Sequence, residues 1–82
     1  MSKKIIIEYC QPCRFEKQAS DLASEIKLQF GDRAGEVIIE PTQLVGTFNV
    51  SMDGELVYSK KITGRLPHPG EVEQLLMTRI YK

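Results

Sequence analysis

The spacing of hydrophobic and polar positions changes several times along the 82 residues, and each change of period marks an element. Ile5, Ile6 and Ile7 are consecutive β-branched residues within residues 3–9 and predict a strand. Ile5 and Ile7 point to one side and Ile6 to the other, so both faces of this strand need at least partial cover. Beyond Cys10, Gln11, Pro12 and Cys13 the period lengthens. Phe15, Ala19, Leu22, Ala23, Ile26 and Phe30 recur at helical spacing, with Glu16, Lys17, Gln18, Asp21 and Glu25 between them. The stripe predicts a helix over residues 12–30, with Pro12 in its first turn and Gly31 as its C-terminal cap.

A polar loop over residues 32–35 leads to Val37, Ile38 and Ile39, an apolar run bounded by Glu36 and Glu40 that predicts a second strand ending at Pro41. Strand, helix and strand with short connections form a right-handed βαβ unit with parallel strands. Residues 48–52 then alternate apolar and polar, and Asp53-Gly54 separates them from residues 55–58. An Asp-Gly pair between two such runs predicts a hairpin whose two turn positions both take positive φ. A two-residue turn would pair Val50 with Val57, with Phe48 on their face. Residues 60–67 read as a basic loop. Pro69 reads as the first position of a last helix, preceded by His68, with Glu71 and Glu73 in its first turns and Val72, Leu75, Leu76 and Ile80 as its apolar stripe.

Interleaved strands and helices predict an α/β protein of layered sheet and helix. The order β-α-β-β-β-α matches a minimal thioredoxin-like core, a four-stranded mixed sheet with two helices on one face, and residues 1–82 form a single domain. With both helices on one side, the opposite face carries Ile6 and its neighbours largely uncovered, which predicts a homodimer or a protein partner there.

Composition narrows the function classes. Eleven basic and eleven acidic residues give a formal net charge of +0, without the electrostatic footprint of a nucleic-acid-binding protein. The apolar run at residues 5–7 is too short for a signal-peptide core or a membrane span, so the expected location is the cytoplasm and no membrane contact is expected. Two cysteines in a small cytoplasmic chain read as reactive or metal-binding. A bond closing so short a loop contributes only about 2 kcal/mol in the chain-entropy model, too little for a useful staple.

The Cys-x-x-Cys spacing places Cys10 and Cys13 on one side of the chain, within disulfide reach. A thiol reacts as its thiolate, and unpaired amides at a helix start favour negative charge. On this reasoning Cys10, at the helix N-cap, is the exposed, attacking thiol. Cys13, one turn further in, is the shielded one that resolves a mixed disulfide. Gln11 and Pro12 fill the turn and meet the substrate. Zinc would need four ligands where the chain offers two thiols and one histidine, so no metal is expected without a second chain. Lys60, Lys61 and Arg65 form either a solvated basic face or a site for an acidic partner. Tyr9 is a core aromatic beside the thiols, and Asp53 and Gly54 are turn chemistry.

Tyr9-Cys10-x-x-Cys13-Arg14, Gly46-x-Phe48-x-Val50, Asp53-Gly54-Glu55-Leu56-Val57 and Ser59-Lys60-Lys61 together resemble the selenoprotein W-like (Rdx) family over residues 4–80. The resemblance implies a thioredoxin-like fold and a thiol–disulfide oxidoreductase linked to glutathione or to redox-sensitive proteins. Glutathione would be a co-substrate, and no bound cofactor is implied. The alternative is a non-catalytic module whose thiols sense oxidation and switch a partner contact. Where selenoprotein members carry selenocysteine this chain has Cys13, a placement that favours Cys13 as the attacking atom, against the helix-end reasoning. Asn49 stands where the family usually has an acid. No proline directly precedes the third strand, the place of the cis-proline in thioredoxins. Leu44, Val45, Gly46 and Thr47 take that place, and Val45, Gly46 and Thr47 are expected to offer backbone groups to an extended partner.

Overall fold

A computed structural model describes residues 3–68 and 70–80. Four strands, β1 (Lys4–Cys10), β2 (Glu36–Thr42), β3 (Phe48–Met52) and β4 (Glu55–Ser59), form one sheet in the order β2-β1-β3-β4. β1 pairs parallel with β2 and antiparallel with β3, and β3 pairs antiparallel with β4. Helices α1 (Glu16–Phe30) and α3 (Glu71–Ile80) cover one face, and α2 (Lys60–Thr63) is a single turn after β4. The fold is the thioredoxin-like α/β arrangement that the pattern predicts. Pro69, read above as the first residue of the last helix, lies outside the described residues.

The core follows from the periodicities. Ile5, Ile7 and Tyr9 of β1 and Phe48, Val50 and Met52 of β3 share one buried cluster with Ala19, Leu22, Ala23, Ile26 and Phe30 of α1 and Val72 and Leu76 of α3. Val37 and Ile39 of β2 pack against it. On the other face Ile6 and Ile38 are half-buried and Leu56 is exposed, beside Glu8, Glu40, Asn49 and Ser51. Asn49 donates from Nδ2 to Glu8 Oε1 across the β1–β3 pair at 3.4 Å.

Three boundaries differ from expectation. The first helix begins at Glu16 and not at residue 12, because Arg14 has φ 62° and a right-handed helix cannot run through a left-handed residue. β2 continues through Pro41, which sits on an edge strand where a missing N–H is tolerated. In the hairpin the turn is as predicted, with Asp53 and Gly54 at φ 52° and 84°, but Val50 pairs with Tyr58 and not with Val57. A bulge after Ser51↔Leu56 leaves Val57 extra. The shift buries the Tyr58 ring, whose hydroxyl donates to the carbonyl of Arg65 at 2.6 Å.

The basic stretch is also more ordered than a loop. Thr63 Oγ1 donates to the carbonyl of Ser59 at 3.1 Å, and Gly64 caps α2 at φ 79°. Arg65 forks onto both carboxylate oxygens of Glu71, at 2.7 and 2.9 Å. Glu71 Oε1 also accepts the amide of His68, while its own amide donates to the His68 carbonyl, a reciprocal capping arrangement at the start of α3. Arg65 first, and the His68 amide second, hold the Glu71 carboxyl down at about 2.

Candidate functional site

β1 delivers Cys10 as its last residue, and the chain then turns sharply, with the Arg14 amide donating to the Gln11 carbonyl at 3.1 Å. Cys10 and Cys13 are joined as a disulfide, with their Cα atoms 5.3 Å apart. The exposures are the reverse of those predicted: Cys10 is 0% exposed and Cys13 is half-buried. The reason is again the helix boundary. Cys10 remains inside the sheet, while Cys13 rides on a surface turn ahead of α1 instead of a turn deep within it.

Two individual backbone amides point at the sulfurs. The Cys13 amide donates to Cys10 Sγ at 3.2 Å, and the Gly46 amide donates to Cys13 Sγ, also at 3.2 Å. An amide aimed at sulfur favours its anionic form once the disulfide is opened.

The two loops are laced together around this pair. The Cys10 amide donates to the Thr47 carbonyl at 2.7 Å and the Gln11 amide to the Thr42 carbonyl at 2.9 Å. Gln43 donates from Nε2 to Gln11 Oε1 at 2.8 Å. Gly46 and Thr47 therefore meet the cysteine pair through their backbone, Gln11 is tied to the same loop through Thr42 and Gln43, and Pro12 is exposed on the turn. Sequence reasoning missed Thr42 and Gln43, because a hydrogen bond between two loops leaves no periodic trace. Leu44 and Val45 are 68% and 83% exposed, an apolar pair projecting beside Cys13. A cleft of about 550 Å³ runs from this loop past Glu8 and Asn49 to Ser59 and Lys61. Lys61 thus borders the site, whereas Arg65 is engaged by Glu71, so the basic cluster does not act as one patch.

Phe15 ends the turn and meets Phe48 edge-on, centroids 6.3 Å apart at 72°. Tyr9 is buried and its hydroxyl donates to Glu16 Oε2 at 3.4 Å. Burial first, and then the Glu16 charge, raise the Tyr9 phenol above its ordinary value, so it stays neutral. Among the described residues no peptide bond is cis, no group of three or more His, Cys, Asp or Glu side chains is placed to hold a metal ion, and no helix is long and apolar enough to cross a membrane.

A disulfide at the end of the first strand of this sheet, facing the loop that enters the third, defines a thioredoxin-like protein with a Cys-x-x-Cys site. The chain belongs to the Rdx family, whose pattern it matches over residues 4–78, and it carries the Cys-x-x-Cys pair Cys10 and Cys13 without selenocysteine. It is 37% identical over 65 residues to Migration and invasion enhancer 1 of Bos taurus, covering 79% of this chain and 54% of the relative. The Mus musculus protein of that name is 32% identical over 72 residues, covering 88% and 60%. The chain thus spans less than two thirds of the length of these relatives. A crystal structure of a Bordetella parapertussis protein superposes with TM-score 0.91 at 25% identity, covering 96% of this chain and 99% of the other. The selenoprotein W-related protein of Vibrio cholerae gives 0.90 at 22% identity, covering 98% and 99%.

Proposed function

We propose that the chain is a redox-sensing protein-interaction module in which opening and closing of the Cys10–Cys13 bond resets the contact surface at residues 42–47. The hydrogen bond from the Gly46 amide to Cys13 Sγ carries this reading. It links the state of the sulfur to a loop that projects Leu44 and Val45 into solvent. Migration and invasion enhancer 1 names an effect on cells and not a reaction, which supports an interaction role over turnover.

Thiol–disulfide oxidoreductase activity is the second reading, favoured by the contrast between buried Cys10 and half-buried Cys13. In the reduced pair the Cys13 thiolate attacks a disulfide of glutathione or of a partner protein, forming a mixed disulfide and releasing one thiol. Cys10, deprotonated, then attacks Cys13 Sγ, closing the internal bond and releasing the second thiol. Two electrons pass to the partner. Exchange between thiols and disulfides of this kind suits the cytoplasm.

Hydrogen exchange of the oxidised chain, the reduced chain and a Cys10→Ser/Cys13→Ser double variant tests the module. Faster exchange of the residue 42–47 amides on reduction, reproduced by the double variant, without turnover of glutathione disulfide, is the expected result. Unchanged exchange in that loop together with efficient turnover would overturn the module in favour of the enzyme.

A further inference from the structure

The helix-covered side of the molecule holds a cavity that the disulfide chemistry does not use. It lies between α1, α3 and the loop entering α3, has a volume of about 210 Å³, and takes apolar walls from Leu22, Phe48, Leu66 and Pro67. Its polar side is unusual. Glu73, in the first turn of α3, is only 5% exposed, and its Oε1 is buried with no hydrogen-bond partner among the described residues. Glu25 of α1 lines the same cavity and brings a second carboxyl.

We propose that this cavity is a binding site for an organic cation, an ammonium or guanidinium group on a short aliphatic stem, received by Glu73 and Glu25. A buried acceptor left unpaired costs about 1–3 kcal/mol, more if charged, and native proteins seldom leave one without a partner. An N–H donor entering the cavity supplies that partner, and the soft terminal torsion of a glutamate lets its carboxylate turn to meet it. The apolar walls suit an aliphatic stem, and the volume lies below the range of about 300–1,000 Å³ that drug-sized ligands fill. The carboxyl groups here do not form a cluster able to hold a metal ion among the described residues, which favours a larger cation with directed donors.

The surrounding charges do not already supply that cation. Asp21 on α1 is paired with Lys17 at 3.1 Å. Arg65 is engaged by Glu71 at the start of α3, and Arg79 by Glu55 of β4 at its end. His68 lines the cavity mouth. No ion pair joins Glu25 or Glu73 to a cationic side chain among the described residues. Burial first, and then a side-chain hydrogen bond with Glu25, raise the Glu73 carboxyl above its ordinary value, an arrangement in which the two carboxyls share a proton while Glu73 Oε1 keeps no partner of its own. Cation binding displaces that proton, and affinity therefore falls as the pH is lowered.

The test is an NMR titration of the isotope-labelled full chain with putrescine and agmatine, and with the side-chain mimics N-acetyl-lysine methylamide and N-acetyl-arginine methylamide. Saturable amide shifts at Leu22, Glu25, Gly70 and Glu73 are expected, with affinity about tenfold lower in Glu73→Gln and reduced in Glu25→Gln. Binding should also weaken at acidic pH, and the uncharged control 1-butanol should give no saturable shift. Preference for the free diamines points to a small metabolite, and preference for the mimics to a Lys or Arg side chain of a partner. No saturable shift with any cation, or equal binding by Glu73→Gln or of 1-butanol, overturns the proposal.

Discussion

Asn49 and Gly35 show how much a single side chain decides in this molecule. Asn49 faces Glu8 across the sheet and donates to it, where the family resemblance leads one to expect an acid. An acid at that position would set two carboxylates opposite each other on the open face. Asn49→Asp is therefore expected to lower stability by about 0.2–1 kcal/mol at neutral pH. The loss should shrink in acid, where either carboxyl can protonate and restore a donor; urea unfolding at the two pH values measures both. Gly35 has φ 69°, and a Cβ there would strike the backbone of Lys3, whose carbonyl accepts the Glu36 amide at 2.8 Å. Gly35→Ala is expected to cost at least about 1–3 kcal/mol in the same assay. Neither demand is visible in the sequence, which shows a polar loop at residues 32–35 and no sign of which strand passes beside it. The sulfurs teach the same lesson. Their spacing predicts that they meet, but their exposures depend on the left-handed backbone at Arg14, a residue type that gives no warning of it.

At the scale of elements, the long amphipathic stripes are the most legible feature. Ala19, Leu22, Ala23, Ile26 and Phe30 are all buried, as the period of α1 requires. The stripe of α3 is half right: Val72 and Leu76 are buried, whereas Leu75 is 38% exposed and Glu73 is buried in its place. A ten-residue helix fixes its rotation weakly by pattern alone, and here the Glu71 cap and the Arg79–Glu55 ion pair help set it. The Asp53-Gly54 turn was legible because its φ values admit few residue types, but the bulge beyond it was not, since it answers to where the Tyr58 hydroxyl finds a partner. Glu71 carries a pH prediction for this element. Its carboxyl is held at about 2 in the folded chain, below its ordinary value of 4.5, so its stabilising effect is complete above the ordinary value and disappears as pH falls through about 2. Glu71→Gln should lower the thermal midpoint at neutral pH, with the difference from the parent chain closing across that acid window. A constant difference at every pH would show that the ion pair with Arg65 contributes nothing to folding.

At the scale of the whole molecule, the helices and the disulfide divide the surface into regions of different use. The open sheet face presents Ile6, Ile38 and exposed Leu56, but Glu8, Glu40 and Asn49 interrupt the apolar area. So mixed a face suits weak association, and a net charge of +0 does little to oppose it. Light scattering should find monomers at low concentration and a reversible shift toward dimers at high concentration, abolished by Leu56→Glu. A monomer at every concentration would leave this face to a different partner.

The redox reading requires Cys13 to be the sulfur that meets solvent and Cys10 the one that waits behind it. Treating the reduced Cys10→Ser and Cys13→Ser variants with glutathione disulfide and weighing the intact chains puts this to the test. Rapid formation of a stable glutathione adduct on Cys13 in the Cys10→Ser chain, with little or none on Cys10 in the Cys13→Ser chain, is the predicted result. An adduct that accumulates on Cys10 while Cys13 stays free would contradict it.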